Sequence, residues 1–478
     1  MMSEFDPAAV ILWFRRDLRL ADHPALAAAV ALGRPVIPLF IHDETVTALG
    51  AAAKWRLGEG VAALARALEG IGSRLVLRRG WAHEVLEALV AETGAAAVYW
   101  TRSYDRDGIA RDREVKADLR GAGIEARSFP GAVLFEPWTV ATGQGRPYNV
   151  YTPFWKALRD RDPGPLEQAP ARLRPPAAWP ASEDLRDWAM GRAMDRGVAV
   201  VGRFASVGEA AARARLDLFL GERLARYSED RDHPARSATS GLSEHLAWGE
   251  ISVRTVWHAA MAARDAGARG AEKFLSELGW REFAWHLMYH APEIDRRNWR
   301  ADWDGFPWRG DSDDAERWRR GMTGEPIVDA AMREMFVTGR MHNRARMVAA
   351  SYLTKHLLTD WRIGLRWFAD CLTDWDPAAN AMGWQWVAGS GPDAAPYFRV
   401  FNPATQAEKF DAGGAYRRAY IAEGQAEPPE TALAFFDAAP RHWGLSPGQV
   451  YPERLIPLAE GRSRALAAYA RRNAAPAT

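Results

Sequence analysis

The sequence predicts a two-part protein: an α/β domain built on a doubly wound parallel sheet, then an all-α domain, joined by a long linker. Three observations carry this reading. Roughly the first 130 residues alternate short apolar runs with helical patterns. The pattern then fails from Gly131 to about Ala205, where RDPGPLEQAPARLRPPAAWP is rich in Pro and poor in periodicity, so the stretch reads as a long linker or wrapping loop. From Val207 onward helical patterns recur and no strand pattern of comparable strength returns. A chain of 478 residues is also too long for one ordinary core.

Within the first part, residues 10–14 (VILWF), 35–41, 74–78 and 96–101 read as buried strands. A helix starts at His23-Pro24, with Asp22 as the cap candidate and Pro24 in the first turn. Further helices are predicted over 54–68 and 83–93, the latter stopping at Gly94. The turn after the first strand, RRDLRLADHP, has no G-x-G-x-x-G, so a Rossmann dinucleotide fingerprint is absent. In the second part, helices are predicted over 209–227, 253–264, 271–290, 326–338, 343–358 and 364–372. Domain boundaries are expected at 1–132, 133–205 for the linker, and 206–478. No internal repeat is present.

Hydrophobic content of 48% and charged content of 26% are those of a globular protein. No apolar run is long enough to span a membrane. The N-terminus, MMSEFDPAAV, lacks a basic n-region, and Cys371 is the one cysteine. Both point to the cytoplasm. The net charge of +1 argues neither for nor against nucleic acid. A GC-rich genome accounts for the excess of Arg over Lys and for the abundant Ala.

Tryptophan is the unusual feature. Of 22 in the chain, half fall between Trp280 and Trp386. A core is built more simply from aliphatic residues and Phe, because each buried indole N–H wants an acceptor. Indoles also give up an electron easily and stack on bases and flavins, so redox chemistry and base stacking both deserve a test.

Several short segments admit a functional and a structural reading. Thr239-Ser240-Gly241-Leu242-Ser243 precedes a helix near Glu244; it is a pyrophosphate cradle or simply an N-cap at Ser243. In FLSELGWREF, Glu277 and Arg281 share a helix face with Trp280 nearby; a surface ion pair is the plain alternative. Asn343 and Arg346 open a helix, and Asp374, Asp376 and Asn380 follow in a loop-like stretch. Arg346 pairs with Asp374 in one reading; in the other these are solvated charges.

Taken together, the segments resemble the photolyase/cryptochrome family. WFRRDLRLADHPAL, YTPFWKAL, TSGLS, ELGWREF, TGEPIVDAAMREM, MHNRARM, DWDPAAN, GWQW and DAAPYFRVFNP look like that family's blocks, in order. The resemblance covers essentially the whole chain.

It implies a bent FAD inside the helical domain. Tyr227, Thr239, Ser240, Leu242 and Ser243 would hold its phosphates and ribityl chain; Arg281 and Asn343 would line it. Asp374 would accept from Arg346 beside the isoalloxazine, Asp376 would lie near the ribose–adenine side, and Asn380 would face flavin N5. Phe274 stands where a Trp is common. Trp384, Trp361 and Trp308 match the family's electron chain; Trp367 and Trp375 would be core residues or a branch.

The substrate face separates the members. Enzymes repairing cyclobutane pyrimidine dimers line the cavity with a Glu, two Trp, an Asn and a Met, matched here by Glu277, Trp280, Trp386, Asn343 and Met347. Enzymes for (6-4) photoproducts carry His at the Asn343 and Met347 positions, and cryptochromes alter the Glu, the Trp or the residue opposite N5. The resemblance therefore implies light-driven repair of pyrimidine dimers in UV-damaged DNA, with the dimer flipped out. Arg344 is the candidate phosphate contact. A cryptochrome photoreceptor is the rival, disfavoured because only ARRNAAPAT follows the last helical pattern. A flavin-free structural or RNA-binding helical protein is the third reading, disfavoured by the ordered blocks. The protein is expected to be a monomer. For an antenna, LGAAAKWRLGEG looks like the bacterial class III enzymes, which implies 5,10-methenyltetrahydrofolate. Gly108, in the loop after the fourth strand, replaces the Glu that other folate-binding members use. A deazaflavin, a flavin or an empty site are the alternatives.

Overall fold

The computed structural model describes residues 8–393 and 398–474. The apolar runs form the parallel strands β1 (Val10–Phe14), β2 (Val36–His42), β3 (Val76–Arg79) and β4 (Ala97–Thr101), with β5 (Glu125–Phe129) at the edge. The order is β3-β2-β1-β4-β5, and every pairing is parallel. All five residues of β1 are buried, which is why the strand reads as a continuous apolar run. The order reverses at β1/β4, so a crevice opens beyond the carboxyl ends of these two strands.

Among the elements that escape the sequence reading are β5 and the Arg106–Gly121 helix. β5, EARSF, is an edge strand whose first and third residues are exposed, so it shows no apolar run. The Arg106–Gly121 helix buries only Gly108, Arg111, Val115 and Leu119, a narrow stripe in a strongly charged segment. Gly108 therefore lies in a first helical turn, not in a loop, and its N–H is capped by Asp105 Oδ1 at 2.8 Å.

The cap of the Pro24–Ala31 helix is also corrected. His23 Nδ1 accepts from Leu26 N at 3.1 Å. Asp22 is held at φ +48 with its carboxylate on Arg254, so it is committed to the other domain.

The segment 133–205 is no slack tether. Its Tyr151–Leu158 helix sends Tyr151, Phe154 and Leu158 into the helical core with Phe283. Leu173, Trp188 and Met190 enter the core of the sheet domain.

The Ala271–His290 and Pro326–Thr338 helices run as read from the sequence. Two others break. The segment from Glu209 becomes a helix to Leu218, a π-turn over Phe219–Arg223 and a separate turn, Tyr227–Asp230. The Asn343–Ser351 helix passes into a π-turn at Tyr352–His356. Such turns re-aim a helix, often beside a site. The stretch from Asp374 is only partly a loop. Asp376 caps the Pro377–Ala388 helix by accepting from Ala379 N at 2.9 Å, so Asn380 is helical.

The two domains are joined by a buried ion pair. Arg56, on the Ala51–Gly70 helix, donates to both oxygens of Glu250 at 2.8 and 2.9 Å, and neither side chain is exposed. His245 Nδ1 lies 2.5 Å from the same carboxylate. Removing one member of such a pair strands the other, which costs roughly 3–5 kcal/mol. Arg56→Met should lower stability by about that amount in urea denaturation, and an unchanged midpoint would show the pair to be energetically idle.

Candidate functional site

A cavity of about 390 Å³ opens among the helices. It gathers residues from five separate stretches: 227, 239–247, 274–281, 341–350 and 368–387. Of the residues singled out from the sequence, Tyr227, Thr239, Ser240, Leu242, Ser243, Phe274, Glu277, Arg281, Asn343, Arg346, Met347, Asp374, Asp376, Asn380 and Trp384 all line it.

One wall is the 239–243 turn. Gly241 sits at φ +65, and an added Cβ would lie 2.6 Å from Arg215 Nη1. The helix that follows begins at Ser243 with Leu242 as its cap and no side-chain cap bond, so Ser243 is not the N-cap. Arg215, missed in the sequence, carries a buried Nε with no partner among the described residues, as does Arg281. Burial lowers the pKa of Arg215. A lone Arg inside a helical pattern gives no signal of its own, which is why it escaped notice. Two guanidiniums, each with an unused Nε donor, beside the hydroxyls of Thr239, Ser240 and Ser243 suit an anionic group such as a pyrophosphate.

The opposite wall is polar but locked. Arg346 Nη2 donates to both oxygens of Asp374 at 2.9 and 2.7 Å, and its Nε donates to the Met341 carbonyl at 2.8 Å. Trp285 Nε1 donates to Asp376 Oδ2 at 3.2 Å. Asn380 Nδ2 donates to the Asp376 carbonyl at 2.9 Å, which fixes the amide beside the cavity. His342 caps the helix below, its Nδ1 accepting from Arg344 N at 3.1 Å; burial lowers its pKa to about 4, so it stays neutral and able to accept.

Glu277 and Arg281 are not an ion pair with each other. Glu277 pairs with Lys273 at 2.9 Å and with Arg231. Arg281 pairs with the buried Glu282 at 3.1 Å and donates to the Ala132 carbonyl. Burial, opposed by Arg281, pushes Glu282 up to about 7.

Asn343 is exposed at the mouth, its amide 3.9 Å from Met347 Sδ. Trp280 and Trp386 do not line the cavity; both are half-buried. Trp280 stacks on Tyr151. Trp386 follows Trp384 by two positions, a rotation of about 200°, so the helix presents one indole inward and the other elsewhere. Arg344 is engaged rather than free: it pairs with Asp232 at 2.9 Å and lies over the Phe410 ring.

Of the proposed electron-chain residues, Trp384 and Trp361 are buried and Trp308 is half-buried. No ring pair joins the three directly among the described residues. Gly364 brings Trp384 onto the Trp361–Cys371 helix, because a Cβ there would lie 2.1 Å from the Trp384 ring. Trp361 Nε1 donates to Asn298 at 2.9 Å, and Trp308 packs on Phe306 and Trp303. Trp367 stacks on Phe336, and Trp375 packs against the cores of both domains.

A second cavity, of about 540 Å³, fills the β1/β4 crevice between the domains. The turns after β1 (Arg15, Arg16) and β4 (Arg102 to Asp105) line it. Leu246, Ala247, Arg281 and Asp376 line both cavities, so the two share a wall. A Cβ on Gly108 would strike the Ser103 side chain at 2.6 Å, so no acidic side chain has room there.

The comparisons agree with this geometry. The family described as the FAD binding domain of DNA photolyase matches residues 274–471, and the DNA photolyase family matches residues 10–175. A deoxyribodipyrimidine photo-lyase of Agrobacterium fabrum is 46% identical, over 97% of this chain and 98% of that protein. Cryptochrome-2 of Arabidopsis thaliana is 35% identical, over 86% of this chain and 70% of that protein. The crystal structure of a bacterial class III photolyase from Agrobacterium tumefaciens superposes with a TM-score of 0.91 at 44% identity, covering 99% of this chain and 100% of that one. With matches to both domains and relatives alike from end to end, the chain belongs to the photolyase/cryptochrome family.

Proposed function

We infer that the protein is a light-driven DNA-repair enzyme acting on cyclobutane pyrimidine dimers. The observation that carries this is one cavity with two chemistries. Its interior is a cofactor cradle built on Arg281, Arg346–Asp374 and Asn380, with Arg215 behind the Gly241 turn, and its mouth carries Glu277, Asn343 and Met347. Asn343 and Met347 stand where His residues would mark the (6-4) enzymes. The 46% identity to a deoxyribodipyrimidine photo-lyase supports the same reading.

FAD fits the cradle, and when bound it supplies a single electron to the lesion on illumination. The chain's own residues do the rest. Tyr227, Phe274 and Leu242 would cover the cofactor with apolar surface, and the hydroxyls of Thr239, Ser240 and Ser243 would receive its phosphates. The Arg346–Asp374 pair, neutral overall, would set a fixed dipole beside the ring system, while Asn380 would present a neutral amide. Asp376, held by Trp285, lies on the ribose–adenine side. Glu277, ion-paired with Lys273 and Arg231, would accept from the pyrimidine N3–H. Trp280 and Trp386 stack on the extruded bases, and Met347 fills the remaining apolar space. Arg344, braced by Asp232, contributes positive charge at the rim.

Electrons reach the cradle from the surface through Trp308, Trp361 and Trp384. The interdomain cavity is the antenna site, and we assign it to 5,10-methenyltetrahydrofolate; Arg16, Arg102 and Arg296 in its lining suit the carboxylates of a folate. The protein works as a cytoplasmic monomer on UV-damaged DNA. Among the described residues no helix is long and apolar enough to cross a membrane.

The function is tested with the photoreduced holoenzyme and a thymine-dimer oligonucleotide. Blue light should restore thymine absorbance, with no change in the dark. Repair confined to (6-4) lesions, or none, would overturn the assignment.

The Trp chain is tested separately. Trp384→Phe keeps an aromatic of similar shape but removes the oxidisable indole. The variant should fail to photoreduce bound oxidised FAD with an external thiol, yet repair dimers normally after chemical reduction. Normal photoreduction would move the entry route to another indole, and loss of both activities would make Trp384 structural.

A further inference from the structure

The geometry points to Tyr151 as a positioning residue that fixes the Trp280 indole for stacking on an extruded base, a role that rests on the proposed repair function. Tyr151 belongs to the segment between the domains and is far from Trp280 in sequence. Their rings lie 11° from parallel with centroids 3.7 Å apart, the tightest ring pair among the described residues. One face of the indole is therefore covered.

Tyr151 cannot turn away. Its hydroxyl donates to the Ser276 carbonyl at 2.5 Å and lies 2.9 Å from Ser276 Oγ, so it is fastened to the same helix that carries Glu277 and Trp280. Trp155 backs the stack at 13° and 6.4 Å. Gly279 makes the nesting possible: a Cβ there would lie 2.6 Å from the Trp155 ring and 3.0 Å from the Tyr151 hydroxyl. The Tyr151 backbone N–H also donates to Asp393 Oδ1 at 3.4 Å, on the loop after the helix that bears Trp386. One turn of the linking segment thus braces the Trp280 wall and reaches the loop beyond Trp386.

The consequence is pre-organisation. An indole left free would be ordered only when a base stacks on it, and that ordering weakens binding. With Tyr151 behind it, Trp280 offers one open face already in place. The benefit falls on DNA whose base leaves the helix, so Tyr151 contributes to discrimination of dimer-containing from intact DNA.

The test uses the flavin-loaded protein and fluorescence anisotropy with matched dimer-containing and undamaged oligonucleotides. Tyr151→Phe keeps the ring and loses the hydroxyl; Tyr151→Leu removes the stack. Tyr151→Phe should bind dimer DNA within about twofold of the parent. Tyr151→Leu should bind it about tenfold more weakly, with unchanged affinity for undamaged DNA, unchanged flavin content and an unchanged repair rate at saturating DNA. Tyr151→Met, an apolar filler, replaces Tyr151→Leu if the latter does not fold. Equal losses in Tyr151→Phe and Tyr151→Leu, or a parallel loss on undamaged DNA, would overturn the proposal. So would wild-type discrimination in Tyr151→Leu. A parent protein that does not itself discriminate dimer DNA overturns the repair function, and this role with it.

Discussion

A single buried guanidinium sets the geometry on which both cavities depend. Arg19 follows β1 and is almost wholly enclosed. It donates to the Gly249 carbonyl at 3.0 Å, to the Gly131 carbonyl at 3.0 Å and twice to the Asp22 carbonyl. These carbonyls belong to the helical domain, to the end of the sheet domain and to the turn after β1. Burial disfavours the charged form and lowers its pKa, yet neutral carbonyls from three directions satisfy it. The arrangement tolerates no slack. Gly249 sits at φ +66, and a Cβ there would lie 2.2 Å from the Arg16 carbonyl oxygen. The crevice beyond β1 and β4 is thereby closed by the helical domain and becomes a chamber.

The Ala271–His290 helix then connects that chamber to the cofactor cradle. Phe274, Glu277, Leu278 and Arg281 line the inner cavity; Arg281, Trp285 and Met288 line the interdomain one. The spacing of three, one, three, four and three is a single helical stripe. Arg281 stands where the two cavities share a wall. Trp280, one residue off the stripe, is displaced toward the rim, where Tyr151 holds it. One helix therefore lines both cavities, with Trp280 one position off that stripe.

The indole surplus divides by environment. Some indoles are ordinary bricks with satisfied N–H groups, such as Trp318 donating to the Ala349 carbonyl and Trp248 to the Thr373 carbonyl. Others, Trp13 in β1 and Trp303, Trp308 and Trp367 in the helical domain, bury an N–H with no acceptor among the described residues. An unmade hydrogen bond of this kind costs about 1–3 kcal/mol, which packing alone does not justify. Trp303 and Trp308 stack on each other at 23° and 6.1 Å, at the outer end of the proposed electron route.

What the sequence determined by itself is local and periodic. The continuous apolar runs of β1 to β4, the stop at Gly94, Pro24 in a first helical turn, and the two helices over 271–290 and 326–338 were legible because each is encoded within a few neighbouring residues. The nine ordered blocks likewise carried the identity of most cavity residues. What tertiary structure decided is every relation between distant segments. β5 and the Arg106–Gly121 helix are stabilised by an edge and by a thin stripe, and neither leaves a strong pattern. Asp22 lost its cap role to His23 because Arg254, 232 positions away, claimed its carboxylate. Glu277 took Arg231 and Lys273, not Arg281, as its partners, and Arg344 took Asp232. Arg215 carried no motif, and the block that holds Tyr151, YTPFWKAL, gave no sign of its partner Trp280. Their roles exist only where separate segments meet, because a hydrogen bond or a ring stack depends on distances in space that no spacing along the chain records.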